Sequence, residues 1–177
     1  MHDSTTRHFG LLIAYIAPGF IGLWGASYIH PDLRDLLLGP ETEGPSLGGF
    51  LYVTVASIAS GMLANAVRWA SLDSLHHATG LKRPDWNDGM LHDRVTAYEW
   101  LVENHYRHYQ FYGNTWVTLL FAWLCWRSSI AEAQTSFGGL DATAGFALAV
   151  LALGSRSTLA RYYRRVERLL GDIDKGG

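Results

Sequence analysis

Residues 47–67 read LGGFLYVTVASIASGMLANAV, a run of 21 residues without a charged side chain. An α-helix of about 20 apolar residues is long enough to cross the hydrocarbon core of a bilayer. Further uncharged stretches extend from Phe9 to Ile29, from Tyr109 to Trp126 and, more briefly, from Ala142 to Ser155. The sequence therefore predicts an all-α polytopic membrane protein with four transmembrane helices, at about 9–29, 47–67, 109–126 and 140–158.

Basic residues are divided unequally between the two sides of this arrangement. If the N-terminus lies inside, twelve of the fourteen Lys and Arg residues lie on that side, and only Arg34 and Arg127 lie opposite. Short loops rich in Lys and Arg remain in the cytoplasm. We therefore expect a multi-pass protein of the cell inner (plasma) membrane, with both termini cytoplasmic and the lipid bilayer as a partner.

Three of the four predicted spans continue as helices beyond the bilayer. The second continues to Gly80, a residue suited to a left-handed helix cap. After a turn, a helical pattern from Leu91 leads into the third span, and the fourth span continues to Gly171. These extensions, residues 68–108 and 159–171, are predicted to form a helical cytoplasmic annex within a single domain that covers residues 1–177.

Established catalytic and metal-binding motifs are missing from the sequence. Cys125 is the only cysteine, which excludes an intrachain disulfide and a cysteine-based zinc cluster. The patterns His-Glu-x-x-His and Glu-x-x-His do not occur either, and the letters Gly-x-Ser-x-Gly occur once, at 44–48, in the loop before the second predicted span instead of at a strand-to-helix turn. This favours a protein that is not an enzyme and needs no cofactor.

An alternative function depends on acidic residues and histidines of the annex. Asp73, His76 and His77 share one helical face, and further such residues follow on the facing helix. A cluster of this kind can bind a divalent metal ion and activate water for hydrolysis. The candidate catalytic residues of this membrane-anchored, metal-dependent hydrolase are Asp73, His76, His77, Glu99, Glu103 and His105.

The proposed cluster depends on the register of the two helices. Counting equal rises from the bilayer places His76 level with Leu101, between Glu99 and Glu103. The same residues also have a simpler explanation, since Glu103 and Arg107 are spaced for an ordinary i, i+4 ion pair. The sequence leaves both interpretations open and favours no metal site.

Amide and guanidinium groups occur where the spans meet the annex. Gln110 and Asn114 enter the third span and need hydrogen-bond partners inside the bundle, for which Asn65 on the second span is available. Arg156 has the same need in the fourth span. Asn65, Gln110, Asn114 and Arg156 are therefore candidates for a polar interior path or for a structural lock.

The last predicted helix carries four arginines interleaved with two tyrosines. Basic residues beside a span bind anionic lipid headgroups or another anionic partner, although the same composition also occurs in nucleic-acid sites. The position next to the bilayer favours lipid over nucleic acid or nucleotide. These four residues are Arg161, Arg164, Arg165 and Arg168.

Small residues recur within the first two spans and allow helices to approach closely in lipid. They are Gly19, Gly22 and Gly25 on the first helix and Ala56, Ser60 and Ala64 on the second. Their contact can lie within one chain or between copies. Because four short spans are too few to enclose an evident conduit alone, a homo-oligomer is expected if the protein forms one.

These patterns together predict a small, homo-oligomeric membrane protein of the four-helix type. It is expected to form or regulate a pore or channel under the control of its annex, as a membrane-acting effector or an accessory subunit. A cytoplasmic protein is a further expected partner. The metal-dependent hydrolase is the alternative, and the metal content of the purified protein distinguishes the two.

Overall fold

The computed structural model describes residues 3–38, 47–130 and 136–171, with side chains from residue 13 onward apart from that of residue 88. Within these ranges the chain is all-helical and has no β-strand, which confirms the predicted all-α class. A 3₁₀-helix, Asp88–Arg94, precedes the fourth of five helices. These are α1 (Asp3–Ala26), α2 (Pro31–Leu38), α3 (Leu47–Ala78), α4 (95–129) and α5 (Gly139–Leu170).

Two of the long helices contain a π-helical segment, in which each hydrogen bond spans one more residue than in an α-helix. In α3 this segment is Trp69–Asp73, and in α4 it is Val102–Tyr106. Both helices then resume α-helical geometry, as Ser74–Ala78 and Arg107–Ser129. The two π-segments thus lie in the predicted annex, next to the ends of the spans, and such segments are frequent at functional sites.

Helices α3 and α5 are long and apolar enough to cross a membrane. In the most apolar window of each, only 17% and 11% of the residues are buried inside the protein. A core helix of a soluble protein would be mostly buried, whereas these helices expose Phe50, Met62 and Phe146. The two helices indicate membrane association, and the four-span arrangement remains a prediction, since α1 contributes a shorter apolar helix and amides enter α4.

Most helix ends agree with the cap signals of the sequence. Helix α3 ends at Ala78, and Gly80 has a φ of +94°, a left-handed backbone that residues with a Cβ rarely adopt. Helix α5 ends at Leu170, as predicted. Helix α1 instead ends at Ala26, short of the predicted limit at 29. The next residues form a turn, in which the Tyr28 and Ile29 amides donate at 3.1 Å to the carbonyl oxygens of Gly25 and Ala26, three residues earlier.

Helix α1 packs against α3 and α4, and its backbone touches that of α3 directly. A Cβ atom added at Gly19 would lie 1.7 Å from the carbonyl oxygen of Ser57. A Cβ atom added at Gly61 would lie 2.1 Å from the carbonyl oxygen of Tyr15. Only glycine fits at either position, because the obstructing atoms belong to the backbone.

The other small residues of the first two predicted spans are used in the same way. A Cβ atom at Gly22 would lie 2.8 Å from Ser60 Oγ, and one at Gly25 would lie 2.4 Å from the Cα atom of Ala122 in α4. Ala64 is buried as well. These stripes therefore pack within the chain, and self-association requires a different surface.

Helices α4 and α5 are joined at both of their ends. At one end Asp141 accepts a hydrogen bond from Trp123 Nε1 at 3.0 Å and lies 3.6 Å from the Arg127 guanidinium. At the other end, in the annex, the two helices share a hydrophobic core. Its buried members are Leu101, Tyr109, Leu159, Tyr162, Val166 and Leu170.

Candidate functional site

Arg68 is a buried charge at the junction between the apolar part of α3 and its π-segment, with only 1% of the residue exposed. Its Nη1 donates to Asp73 Oδ1 at 2.9 Å, and its Nη2 donates to Asn65 Oδ1 at 3.1 Å. Its Nε donates to Asn114 Oδ1 of α4 at 3.1 Å. A guanidinium so far from water needs partners of this kind, because removing it from water is unfavourable by several kcal/mol.

The first turns of α4 complete the surroundings of this guanidinium. The Tyr109 ring lies under it, with the Arg68 Cζ 4.6 Å from the ring centroid, and the Tyr109 hydroxyl donates to Asp73. Gly113 leaves room for the arginine stem, because a Cβ there would lie 2.4 Å from Arg68 Cδ. We call Asn65, Arg68, Asp73, Tyr109 and Asn114 the Arg68 network.

The remaining long helices are connected to this network. Asn114 Nδ2 donates to the backbone oxygen of Ala14 in α1 at 3.1 Å. In α3, His76 Nε2 lies 3.2 Å from Ser155 Oγ of α5, and its ring centroid is 6.4 Å from that of Tyr109. Polar contacts therefore link four helices in the region where the predicted spans give way to the annex.

The π-segment of α3 explains how Arg68 and Asp73 meet. In an α-helix, residues five apart point about 140° away from each other. The wider π-turn at Trp69–Asp73 reduces this angle, so that the carboxylate returns beneath the guanidinium. Sequence reasoning missed Arg68, which was counted only as a flanking basic residue. Its signal was an arginine at the end of an apolar run, with Asn65 one turn earlier.

The predicted polar set is divided between two places. Asn65 and Asn114 are brought together, but each accepts a hydrogen bond from Arg68 instead of bonding to the other. No hydrogen bond joins Gln110 to the network in the described part of the chain. Arg156 lies apart, where its Nη2 donates to the Thr79 backbone oxygen at 2.9 Å and so holds the end of α3. Within one chain, Asn65, Asn114 and Arg156 thus have hydrogen-bond partners, and the polar path and the structural lock both stay predictions.

The register that placed His76 level with Leu101 is wrong. Asp73, which lies three residues before His76, already contacts Tyr109, so α3 is displaced relative to α4 from the expected pairing. The two π-segments, which the count of equal rises omitted, contribute to this difference. His76 consequently faces Ser155 of α5.

The six candidate metal ligands are dispersed as a result. His77 stacks on Tyr163 and lies 3.1 Å from its hydroxyl, while Glu103 lies 3.6 Å from Arg107, four residues later. His105 packs edge-on against Trp100. Among the residues that the structure describes, no three His, Cys, Asp or Glu side chains are grouped to hold a metal ion. This applies equally to the other three candidates, Asp73, His76 and Glu99.

Two annex histidines have a lowered pKa. Burial lowers the pKa of His76, and the nearby Arg156 lowers it further. Burial also lowers the pKa of His105, and Arg165 adds to the effect. Both imidazoles therefore stay uncharged to lower pH than usual, which suits the neutral contacts they make with Ser155 and Trp100.

The four arginines of α5 lie along one exposed stripe of the helix. Arg164, at one edge, lines a cleft of about 390 Å³ together with Lys82 and Arg83. Arg165 and Arg168, at the other edge, line a separate groove. The predicted anionic surface is therefore bordered by two different depressions.

No protein-family model, curated protein or solved structure matches this chain significantly. The geometry of the chain is therefore the basis for any function assigned to it.

Proposed function

We propose that this chain is a non-catalytic, multi-pass protein of the inner membrane. Its four spans are those at about 9–29, 47–67, 109–126 and 140–158, and its annex and both termini are cytoplasmic. Three features support this topology: the distribution of basic residues, the outward apolar faces of α3 and α5, and the placement of the Arg68 network at the end of the spans.

We further propose that the annex controls the membrane-embedded helices and that several copies form or regulate a pore. The Arg68 network is the observation that carries this proposal. It joins α1, α3 and α4 at one level, and His76 extends the connection to α5. Because α3, α4 and α5 continue from the apolar segments into the annex, a displacement of the annex acts directly on the spans.

Self-association in this proposal uses the outward face of α3. Leu51, Val55 and Met62 expose 55%, 65% and 61% of their surface, so they are free to pack against lipid or a second copy. The hydrolase alternative is not carried forward, because no observation on the dispersed histidines and carboxylates favours it.

Cysteine labelling tests the topology. With Cys125 replaced by alanine, a cysteine at Ser136 is expected to react with a membrane-impermeant maleimide added outside intact cells. A cysteine at Ser74, which is also exposed, is expected to react only after the cells are opened. Labelling of Ser74→Cys in intact cells, with Ser136→Cys protected, would invert the model.

Ion flux tests the pore. Liposomes that contain the purified protein are expected to lose a potassium gradient at least about tenfold faster than protein-free liposomes. The Gly145→Ala variant controls for the effect of a harmless substitution. It is expected to give the same flux as the wild type, because a Cβ at this exposed position contacts nothing within 4 Å. Wild-type liposomes as tight as empty ones would reject the pore, and stoichiometric bound metal in the same preparation would revive the hydrolase.

A further inference from the structure

A groove of about 680 Å³ lies between α4 and α5 in the annex, on the far side from the Arg164 cleft. Its aliphatic lining consists of Ala97, Leu101 and Leu169. Thr96, Trp100, Arg165 and Arg168 complete the lining, and both arginines are exposed. The groove therefore combines an apolar interior with two positive charges.

The groove has an exposed aromatic ring next to two arginines, a combination that is common in binding surfaces. Trp100 exposes 53% of its surface, and the Arg165 guanidinium lies 5.9 Å from its ring centroid. Arg165 and Arg168 have no carboxylate partner among the residues that the structure describes. The few residues that dominate the binding energy of a protein interface are enriched in tryptophan and arginine.

The groove lies too far from the bilayer to be a lipid site. Trp100 precedes Tyr109, the start of the third proposed span, by nine residues, and Arg165 follows the end of the fourth proposed span at 158 by seven. At 1.5 Å per residue, this places the groove about 10–14 Å beyond the ends of the spans. The headgroup layer on each side of a bilayer is only about 5–8 Å thick.

We propose that this groove binds a segment of a cytoplasmic protein. The segment inserts an apolar side chain beside Trp100 and pairs flanking Asp or Glu residues with Arg165 and Arg168. Nucleic acid suits the surface less well, because Trp100 is the single ring among the described residues that line the groove, and Ala97, Leu101 and Leu169 present no further ring on which successive bases can stack. The proposal rests on the proposed function in requiring that the annex be cytoplasmic and that the spans end near Tyr109 and residue 158.

Cross-linking in the native cell tests this proposal. Benzoylphenylalanine replaces Ala97 in the full chain, the cells are irradiated, and the cross-linked peptide is sequenced by mass spectrometry. The expected adduct is a peptide of a different protein, with Asp or Glu within four residues of the linked apolar side chain. Arg165→Glu combined with Arg168→Glu is expected to reduce its yield at least about tenfold, which corresponds to 1.4 kcal/mol.

The matched control is Arg161→Glu combined with Arg164→Glu, which makes the same charge change on the same helix outside the groove and is expected to retain the adduct. Removal of residues 172–177, which include two aspartates, is also expected to retain it. A lipid adduct, an adduct with this chain itself, an adduct insensitive to Arg165 and Arg168, or none at all would overturn the proposal. Labelling of Ser74→Cys in the same cells shows separately whether the topology has failed.

Discussion

Replacement of Asp73 by leucine is expected to lower the free energy of unfolding by about 3–5 kcal/mol, because it leaves the buried charge of Arg68 without its anionic partner. Only 2% of the Arg68 side chain and 14% of that of Asp73 are exposed, so water does not replace the lost contact. The Tyr109 hydroxyl also loses its acceptor. Denaturant titration of the purified protein in mixed micelles measures the change.

Two further variants separate a buried ion pair from a general loss of packing. Arg68→Met combined with Asp73→Leu is expected to recover more than half of the loss, since removing both charges removes the unpaired one. Asp32→Asn, in a pair whose side chains are 62% and 92% exposed, is expected to change stability by less than about 1 kcal/mol. A double variant as unstable as Asp73→Leu alone would contradict this account of the Arg68 network.

Substitution of Gly61 by alanine is expected to destabilise the protein by about 3 kcal/mol, at the upper end of the usual effect of overpacking. The added Cβ would lie 2.1 Å from the Tyr15 carbonyl oxygen and 2.9 Å from its Cα. Because these are backbone atoms, α1 and α3 have to move apart to admit it. The same titration measures the loss.

Gly145→Ala is the control for Gly61→Ala, because Gly145 also lies in a helix that is long and apolar enough to cross a membrane. Nothing lies within 4 Å of a Cβ at this position in α5, and alanine is a better helix former than glycine. The variant is expected to be more stable than the wild type by about 0.5–1 kcal/mol. Equal effects of Gly61→Ala and Gly145→Ala would mean that α1 and α3 are not in direct backbone contact.

The helices and several of their ends are predictable from the sequence because local chemistry sets them. Uncharged runs and periodic apolar residues indicate helices, and Gly80 ends α3 by adopting a backbone that other residues avoid. The register of α3 against α4 is not predictable in this way. It depends on two π-segments, and Trp69–Asp73 and Val102–Tyr106 contain no residue that requires the extra turn.

The candidate site was only partly predictable for a related reason. Asn65 and Asn114 were identified because amides inside a span require partners. Their common partner, Arg68, looks like any other basic residue at the end of a span, and only the tertiary structure shows that it turns inward. Small residues pose the same difficulty, because Gly19 and Gly61 look alike whether they contact their own chain or another copy.

The Arg68 network has a consequence for the order in which the protein matures. The hydrogen bond that ties α1 into it is donated by Asn114, and Arg68 obtains its acceptor outside α3 from the same residue. During synthesis both earlier helices emerge before Asn114 exists. Until then the guanidinium has only Asn65 and Asp73, its neighbours on α3, as hydrogen-bond partners within the network. Arrival of α4 is therefore the event that completes the Arg68 network, and α5 joins afterwards through Ser155. A chain interrupted before α4 would leave the Arg68 guanidinium without Asn114 and unburied.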